Sequence, residues 1–259
     1  MTSEMLERYR RTDGWLARTI DYRAQVDSTN DQLIAAGEAG AEEGTVMVAD
    51  VQTAGRGRLD RKWHAPVGTC LLLSMLFRPP QPFATYASRT TMACGLAILD
   101  AVEEVAGLRL TLKWPNDVIV EDEAEPEGWA KVAGLLSEVG IRLDTPSFLV
   151  VGVGLNVNLP KAYLADLAPG ATSLLALTGY PISRVRLLDR LLAAAERRYD
   201  ALRAGAADPF EAWRASLAWL GDPVDVRTPT GVVRGVAEDV DIYGRLQVKL
   251  PNGQRHTFS

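Results

Sequence analysis

A chain of 259 residues, 47% hydrophobic and 24% charged, can bury a substantial core as one large domain, with or without a small companion. Its formal net charge of −5 excludes a global attraction to nucleic acid or to an anionic membrane, so any anion site has to be local. Cys70 and Cys94 lie in apolar surroundings without CxxC or Cys/His spacing, and His64 and His256 are far apart, which argues against a zinc site and for reduced, buried thiols. The charged N-terminus has no apolar h-region and no apolar run reaches about 18 residues, so a soluble cytoplasmic protein is expected.

Residues 1–20 carry a short amphipathic pattern, Leu6, Tyr9 and Leu16 among arginines, which predicts a helix. In Asp27-Ser28-Thr29-Asn30-Asp31-Gln32 the order Thr29-x-x-Gln32 resembles a capping box opening a helix over 33–39, with Ser28 and Asn30 left to reach outward. The β-branched run 45–52 reads as a strand, and 70–77 as a buried one stopped by Arg78-Pro79-Pro80. Between them stands Ala54-Gly55-Arg56-Gly57-Arg58-Leu59-Asp60-Arg61-Lys62-Trp63. Its glycines let backbone fold closely around a ligand, its guanidinium forks match carboxylate or phosphate, and its indole offers a stacking face.

A long helix is predicted over 83–106, then a strand over 110–113, a turn at Trp114-Pro115-Asn116-Asp117 and a strand over 118–120. After an acidic loop at 121–128, the strands 130–139 and 147–158 form a hairpin turning near 144–146. Helices follow over 171–177, 184–204 with Ser183 as N-cap, and 208–219. From Gly221 short strands alternate with turn signals such as Asn252-Gly253, which predicts a small β-barrel with its own core. The domains are therefore placed at 1–220 and 221–259.

Lys131 is the most informative single residue. It opens the apolar run 132–136, where a buried ammonium needs an anion unless it snorkels to solvent. A nucleic-acid binder using the Arg/Gly/Trp loop is a competing reading, opposed by the net negative charge.

Taken together, Asp27-Ser28-Thr29-Asn30, Gln52-Thr53-Ala54-Gly55-Arg56-Gly57-Arg58 with Trp63, Lys113-Trp114-Pro115-Asn116-Asp117, the run 131–136 and the run 152–158 resemble the biotin protein ligases, in that family's order. The resemblance implies an α+β fold: a mixed β-sheet catalytic domain flanked by helices, plus a small SH3-like β-barrel at the C-terminus. It implies ATP-dependent activation of biotin to biotinyl-5′-AMP with release of pyrophosphate. Biotin then passes to a lysine of a biotin carboxyl carrier protein or domain of an acyl-CoA carboxylase. A lipoate or octanoyl ligase of related fold would share the central lysine but not the Gly-Arg-Gly-Arg loop after a glutamine.

By the same resemblance Ser28, Thr29, Asn30 and Gln52 contact biotin's ureido ring, with Arg56, Gly57 and Arg58 over its carboxylate and the adenylate phosphate and Gly134 beside it. Lys131 bridges carboxylate and phosphate oxygens. Trp63 and Arg61 cover the adenine and phosphates, Asn116 and Asn156 touch the adenylate, and Asp117 orients Mg²⁺ or the incoming lysine. Lys131, Arg58 and Asp117 are the expected catalytic set. Two departures from the family stand out: Asp60 occupies a position where glycine is usual, and only 27 residues precede the Ser-Thr-Asn motif. The second predicts a monofunctional ligase that does not bind DNA; no membrane partner is expected either, and monomer and homodimer both stay open.

Overall fold

Eight consecutive buried residues make Cys70–Phe77 an inner strand of the molecule's large sheet. The computed structural model describes residues 14–59, 61–123, 125–142, 144–167 and 170–259. The elements before this strand are β1 (Ile20–Val26), α1 (Thr29–Glu38) and β2 (Val46–Gln52); Cys70–Phe77 is β3. There follow α2 (Phe83–Ala106), β4 (Thr111–Lys113), β5 (Asp117–Glu121), β6 (Trp129–Arg142) and β7 (Thr145–Asn156). Next come α3 (Lys161–Leu167), α4 (Leu174–Thr178), α5 (Arg184–Arg203) and α6 (Phe210–Ala215), then β8 (Pro223–Thr228), β9 (Gly231–Val240), β10 (Leu246–Lys249) and β11 (Arg255–Phe258).

The large sheet has the order β1-β2-β3-β7-β6-β5-β4. Only β1 and β2 pair in parallel, so the sheet is mixed, as expected. Side chains alternate across a strand, and β3 shows the consequence. Leu71, Leu73, Met75 and Phe77 join the main core under α2 and α5, while Leu76 packs under α1 and Cys70 and Leu72 pack with Leu159 and Leu164. Ser74, buried on that second side, is the polar exception that marks where a site is built.

Several expectations are corrected. The helix over 1–20 lies largely outside the described residues, and 14–19 form turns whose Trp15 and Leu16 N–H groups donate to Glu196 of α5. The edge strand β1 follows, with Arg23 and Gln25 exposed, as an edge strand paired on one side allows. The 171–177 helix begins at Leu174, because Ser173 Oγ caps it by accepting from Ala176 N at 3.1 Å. The 208–219 helix is shortened to α6, and α3 had no counterpart in the sequence reading.

The expected C-terminal barrel is an open antiparallel sheet among the described residues, of order β11-β10-β9-β8. Its apolar face explains this. Ala237, Val240, Leu246 and Val248 belong to the same core cluster as α2, Trp213 and Leu217, so burial comes from docking on the large sheet's helices rather than from closing the edges. Polar clamps hold the dock: Trp114 Nε1 donates to Gly244 O at 2.9 Å, and Arg214 forks onto Asp239 at 2.5 and 3.0 Å. The core is therefore continuous across Gly221. Among the described residues no helix is long and apolar enough to cross a membrane.

Candidate active site

Three glycines leave a strip of bare backbone on β6 and β7. Gly152 and Gly154 are two apart on β7 and so share a face, and Gly134 of β6 stands directly opposite Gly154. Each is covered by a side chain from elsewhere. A Cβ on Gly152 would lie 2.2 Å from Asn30 Oδ1, one on Gly154 2.6 Å from Trp63 Cε2, and one on Gly134 3.0 Å from Lys131 Nζ.

Lys131 reaches Gly134 because of a bulge. Opposite β5, Val118 pairs with Ala133 but Ile119 with Lys131, so Val132 is the extra residue and Lys131 turns onto the glycine face. There its ammonium sits 2.6 Å from Asp117 Oδ1 and 5.5 Å from the centre of the Trp63 ring. The buried-ammonium argument is corrected in one respect: Asp117 is a resident counter-ion, so a bound anion is not the only compensation. Cross-strand pairing continues the row, Gly154 to Gly134, Gly134 to Asp117, and Asp117 to Lys113. Lys113 Nζ lies 4.7 Å over the Trp129 ring. Burial lowers its pKa from the ordinary lysine value; Asp117 opposes the shift, and the positive charges of Lys131 and Arg61 reinforce it.

The Ser-Thr-Asn segment faces inward. Ser28 is the N-cap of α1, its Oγ accepting from Asp31 N at 3.4 Å, and Gln32 instead donates to Asp27 at 2.9 Å, so the Thr29-x-x-Gln32 box does not form. Thr29 donates through both N and Oγ1 to Gln52 Oε1, at 2.7 and 3.0 Å. Asn30 is only 3% exposed. Its amide donates to Leu136 O and Glu138 Oε2 at 3.1 and 2.7 Å and accepts from Ser74 Oγ at 2.6 Å, which leaves no reason to reach outward.

The basic loop folds back as a narrow hairpin, with Gly57 N donating to Arg61 O at 2.6 Å and Trp63 N to Gly55 O at 2.9 Å. Asp60 lies outside the described residues. Arg56 is anchored, its guanidinium bonded to both carboxylate oxygens of Glu138 at 2.9 and 2.8 Å and to Asp31. Burial works against that charge, but Glu138 and then Asp31 overcome it and raise the Arg56 pKa. Arg58 extends instead toward the chain end, donating to Ser259 O at 3.3 Å, and Arg61 lines the cleft. Asn116 ties the turn to β6 through Leu135 O at 2.7 Å. Asn156 donates to Thr172 O at 3.0 Å and accepts from the Cys70 thiol. The cleft that these groups enclose has a volume of about 1570 Å³ and runs on past Trp129 and Trp219 toward Val224. Single-ligand pockets are roughly 300–1,000 Å³, so two ligands fit side by side.

All the expected site residues thus line one cleft or brace its wall. Sequence reasoning gave no role to Glu138, Lys113 or Trp129. Glu138 alternates with apolar neighbours like any strand residue, and although Lys113 and Trp129 stand close to Asp117 and Lys131 in the chain, their contact with each other forms only once β4, β5 and β6 pair.

Residues 22–156 match the model of the biotin/lipoate A/B protein ligase family, and residues 220–259 that of the biotin protein ligase C-terminal domain. The chain belongs to the biotin/lipoate protein ligase family. The ligase is 37% identical over 238 residues to a biotin–(acetyl-CoA-carboxylase) ligase of Mycobacterium tuberculosis, covering 90% of this chain and 83% of that one. It is 36% identical over 242 residues to the enzyme of that name from Paracoccus denitrificans, covering 90% and 95%. Among solved structures it resembles the biotin protein ligase of Aquifex aeolicus in complex with biotin and ATP, with a TM-score of 0.74 and 28% identity over 93% of this chain and 95% of that one.

Proposed function

We infer that the glycine-floored cleft carries a two-step ligation. The chain is an ATP-dependent biotin protein ligase: it activates biotin to biotinyl-5′-AMP with release of pyrophosphate, then transfers biotin to a lysine of a biotin carboxyl carrier protein. The observation that carries this reading is Lys131, aimed by a bulge onto Gly134, between an indole on one side and Asp117 on the other.

In the first step a biotin carboxylate oxygen attacks the α-phosphorus and the bond to the β-phosphate oxygen breaks, its electron pair leaving with pyrophosphate. Two anions must be held together, so catalysis is positioning and electrostatics. Ser28, Thr29, Asn30 and Gln52 hold the ureido end, the buried network around Asn30 supplying a rigid wall. Lys131 swings its charge from Asp117 to the oxygens shared by carboxylate and α-phosphate, with Gly57 over the same atoms, Arg58 turning to them from Ser259 when the substrates bind, and Arg56 as the bonded anchor of their loop. Trp63 and Arg61 cover the nucleotide, and Asn116 and Asn156 hold the strand ends against it.

In the second step the carrier lysine's amine attacks the biotinyl carbonyl, AMP leaves with the C–O bond's electron pair, and the amine's proton passes to Asp117, freed from Lys131. Among the described residues no three acidic, His or Cys side chains form a metal cluster. Mg²⁺ arriving on ATP needs only one or two carboxylates besides phosphate and water, and Asp117 fits that need. A bound Mg²⁺ would supply further neutralisation of phosphate charge. The two free, buried cysteines suit a reducing cytoplasm.

Incubating the protein with biotin, ATP and Mg²⁺ tests the reading. Pyrophosphate release and a tightly held adenylate are expected; activation of lipoate in preference to biotin would overturn it.

A further inference from the structure

We propose that Lys113 binds the β- and γ-phosphates of ATP and neutralises the pyrophosphate as it leaves. The proposal rests on the ligase reading above and adds to it a residue for the two outer phosphates of ATP.

A row of paired residues crosses the sheet beneath the cleft. Gly154, Gly134, Asp117 and Lys113 stand opposite one another on β7, β6, β5 and β4, and directly paired residues share one face. Neighbouring strands are about 4.8 Å apart, which puts the Lys113 backbone about 10 Å from Gly134 and about 14 Å from Gly154. Along this line the indole of Trp63 covers Gly154, Lys131 Nζ covers Gly134, and the Asp117 carboxylate comes next. A nucleotide with its base at Trp63 and its α-phosphate at Lys131 is then directed along the row, its β- and γ-phosphates toward Asp117 and Lys113.

Lys113 is also an ammonium on which Asp117 and Glu127 act only from a distance, without a direct ion pair. Asp117 is already held by Lys131 at 2.6 Å, and no ion pair or hydrogen bond to another described residue engages the Lys113 ammonium. What holds it is the Trp129 face at 4.7 Å, with Trp129 in turn packed at 6.1 Å against Trp219. An aromatic platform fixes a cation without neutralising it. Lys131 and Arg61 repel it, and burial disfavours its charge. An arriving polyphosphate offsets these costs by its own attraction for the ammonium. When the α-phosphate–oxygen bond breaks, negative charge accumulates on the pyrophosphate, and an ammonium placed there strengthens its interaction during the reaction, which is what lowers a barrier.

Lys113→Met keeps the aliphatic stem on Trp129, and Lys113→Arg keeps the charge. In the full chain with biotin, ATP and Mg²⁺, single-turnover adenylate formation should fall about a hundredfold in Lys113→Met and recover in part in Lys113→Arg. Inhibition by inorganic pyrophosphate should weaken about tenfold or more, while transfer from supplied biotinyl-5′-AMP to a carrier domain changes far less. Unchanged pyrophosphate inhibition in a Lys113→Met protein with native circular dichroism, or an equal loss in both half-reactions, overturns the assignment. If neither variant folds, pyrophosphate protection of Lys113 from amine-directed acylation in the wild type, read by mass spectrometry, decides it: no protection overturns it. A wild-type protein that forms no adenylate would instead overturn the ligase reading, so the two failures are told apart.

Discussion

Replacing Lys131 by Met removes one charge and little else. The methionine stem still lies over Gly134 and against Trp63, so the glycine floor stays covered. What is lost is the ion pair with Asp117 at 2.6 Å, whose side chains are 28% and 13% exposed. Exposed pairs contribute roughly 0–1 kcal/mol and breaking buried ones costs about 3–5, so a stability loss of about 1–2 kcal/mol is expected for this intermediate case. Against a typical stability of roughly 5–15 kcal/mol the variant folds. Catalysis should suffer more. One preorganised charge at the developing oxyanion contributes about 2.7–4 kcal/mol, which is about 10²–10³-fold in rate. Single-turnover formation of biotinyl-5′-AMP, followed by pyrophosphate release, measures that loss, and thermal melting measures the stability. Adding Asp117→Asn should return part of the stability by removing the unpaired carboxylate, without restoring adenylation. A folded Lys131→Met protein that forms adenylate at a near wild-type rate would refute the argument that this ammonium bridges the two reacting anions.

Gly152→Ala should weaken biotin binding and cost about 1–3 kcal/mol, since its Cβ would lie 2.2 Å from Asn30 Oδ1 and the Asn30 network has no slack; titration calorimetry and melting check both. Burial pushes the Cys70 thiol up to about 11 and the Cys94 thiol up to about 12, so at pH 8 neither should react with a thiol reagent until denaturant is added. Because both values lie above the ordinary 9.0, stability is full below that pH and should fall as pH rises from about 9 toward 12 in alkaline melts. Cutting the chain after Leu220 should destabilise the large sheet rather than release an intact domain: it uncovers Trp213 and Leu217 and strips partners from Trp114 and Arg89, and a wild-type melting temperature would contradict this. Trypsin should cut the basic loop after Arg58, Arg61 and Lys62 but slowly after Arg56, which three bonds anchor, and biotin with ATP should protect all four; equal cutting with and without ligand counts against closure over substrates.

The sequence by itself determined the elements whose local patterns agree with their surroundings. The long helix Phe83–Ala106 and the buried strand Cys70–Phe77 have the bounds that periodicity and the flanking prolines predict. The five motifs, each rich in residues that bind or turn, pointed to a local anion-holding site, because residue types that fit anions and tight backbone are visible one position at a time, and the structure gathers them around one cleft. Tertiary structure decided what depends on pairing. A bulge at Val132, invisible in an apolar run, turns Lys131 onto the Gly134 face, and strand register alone brings Lys113 into line with Asp117. Whether Ser28 or Thr29 caps α1 was settled by Gln52, whose carbonyl captures Thr29 from a strand more than twenty residues away. The C-terminal strands were legible as strands. Their failure to close was not, because an edge left open is stabilised by the apolar surface it docks on, and that surface comes from Trp213 and from α2, the latter far away in the chain. Local propensity acts within a few residues, whereas burial and register are properties of surfaces that exist only once the chain has folded.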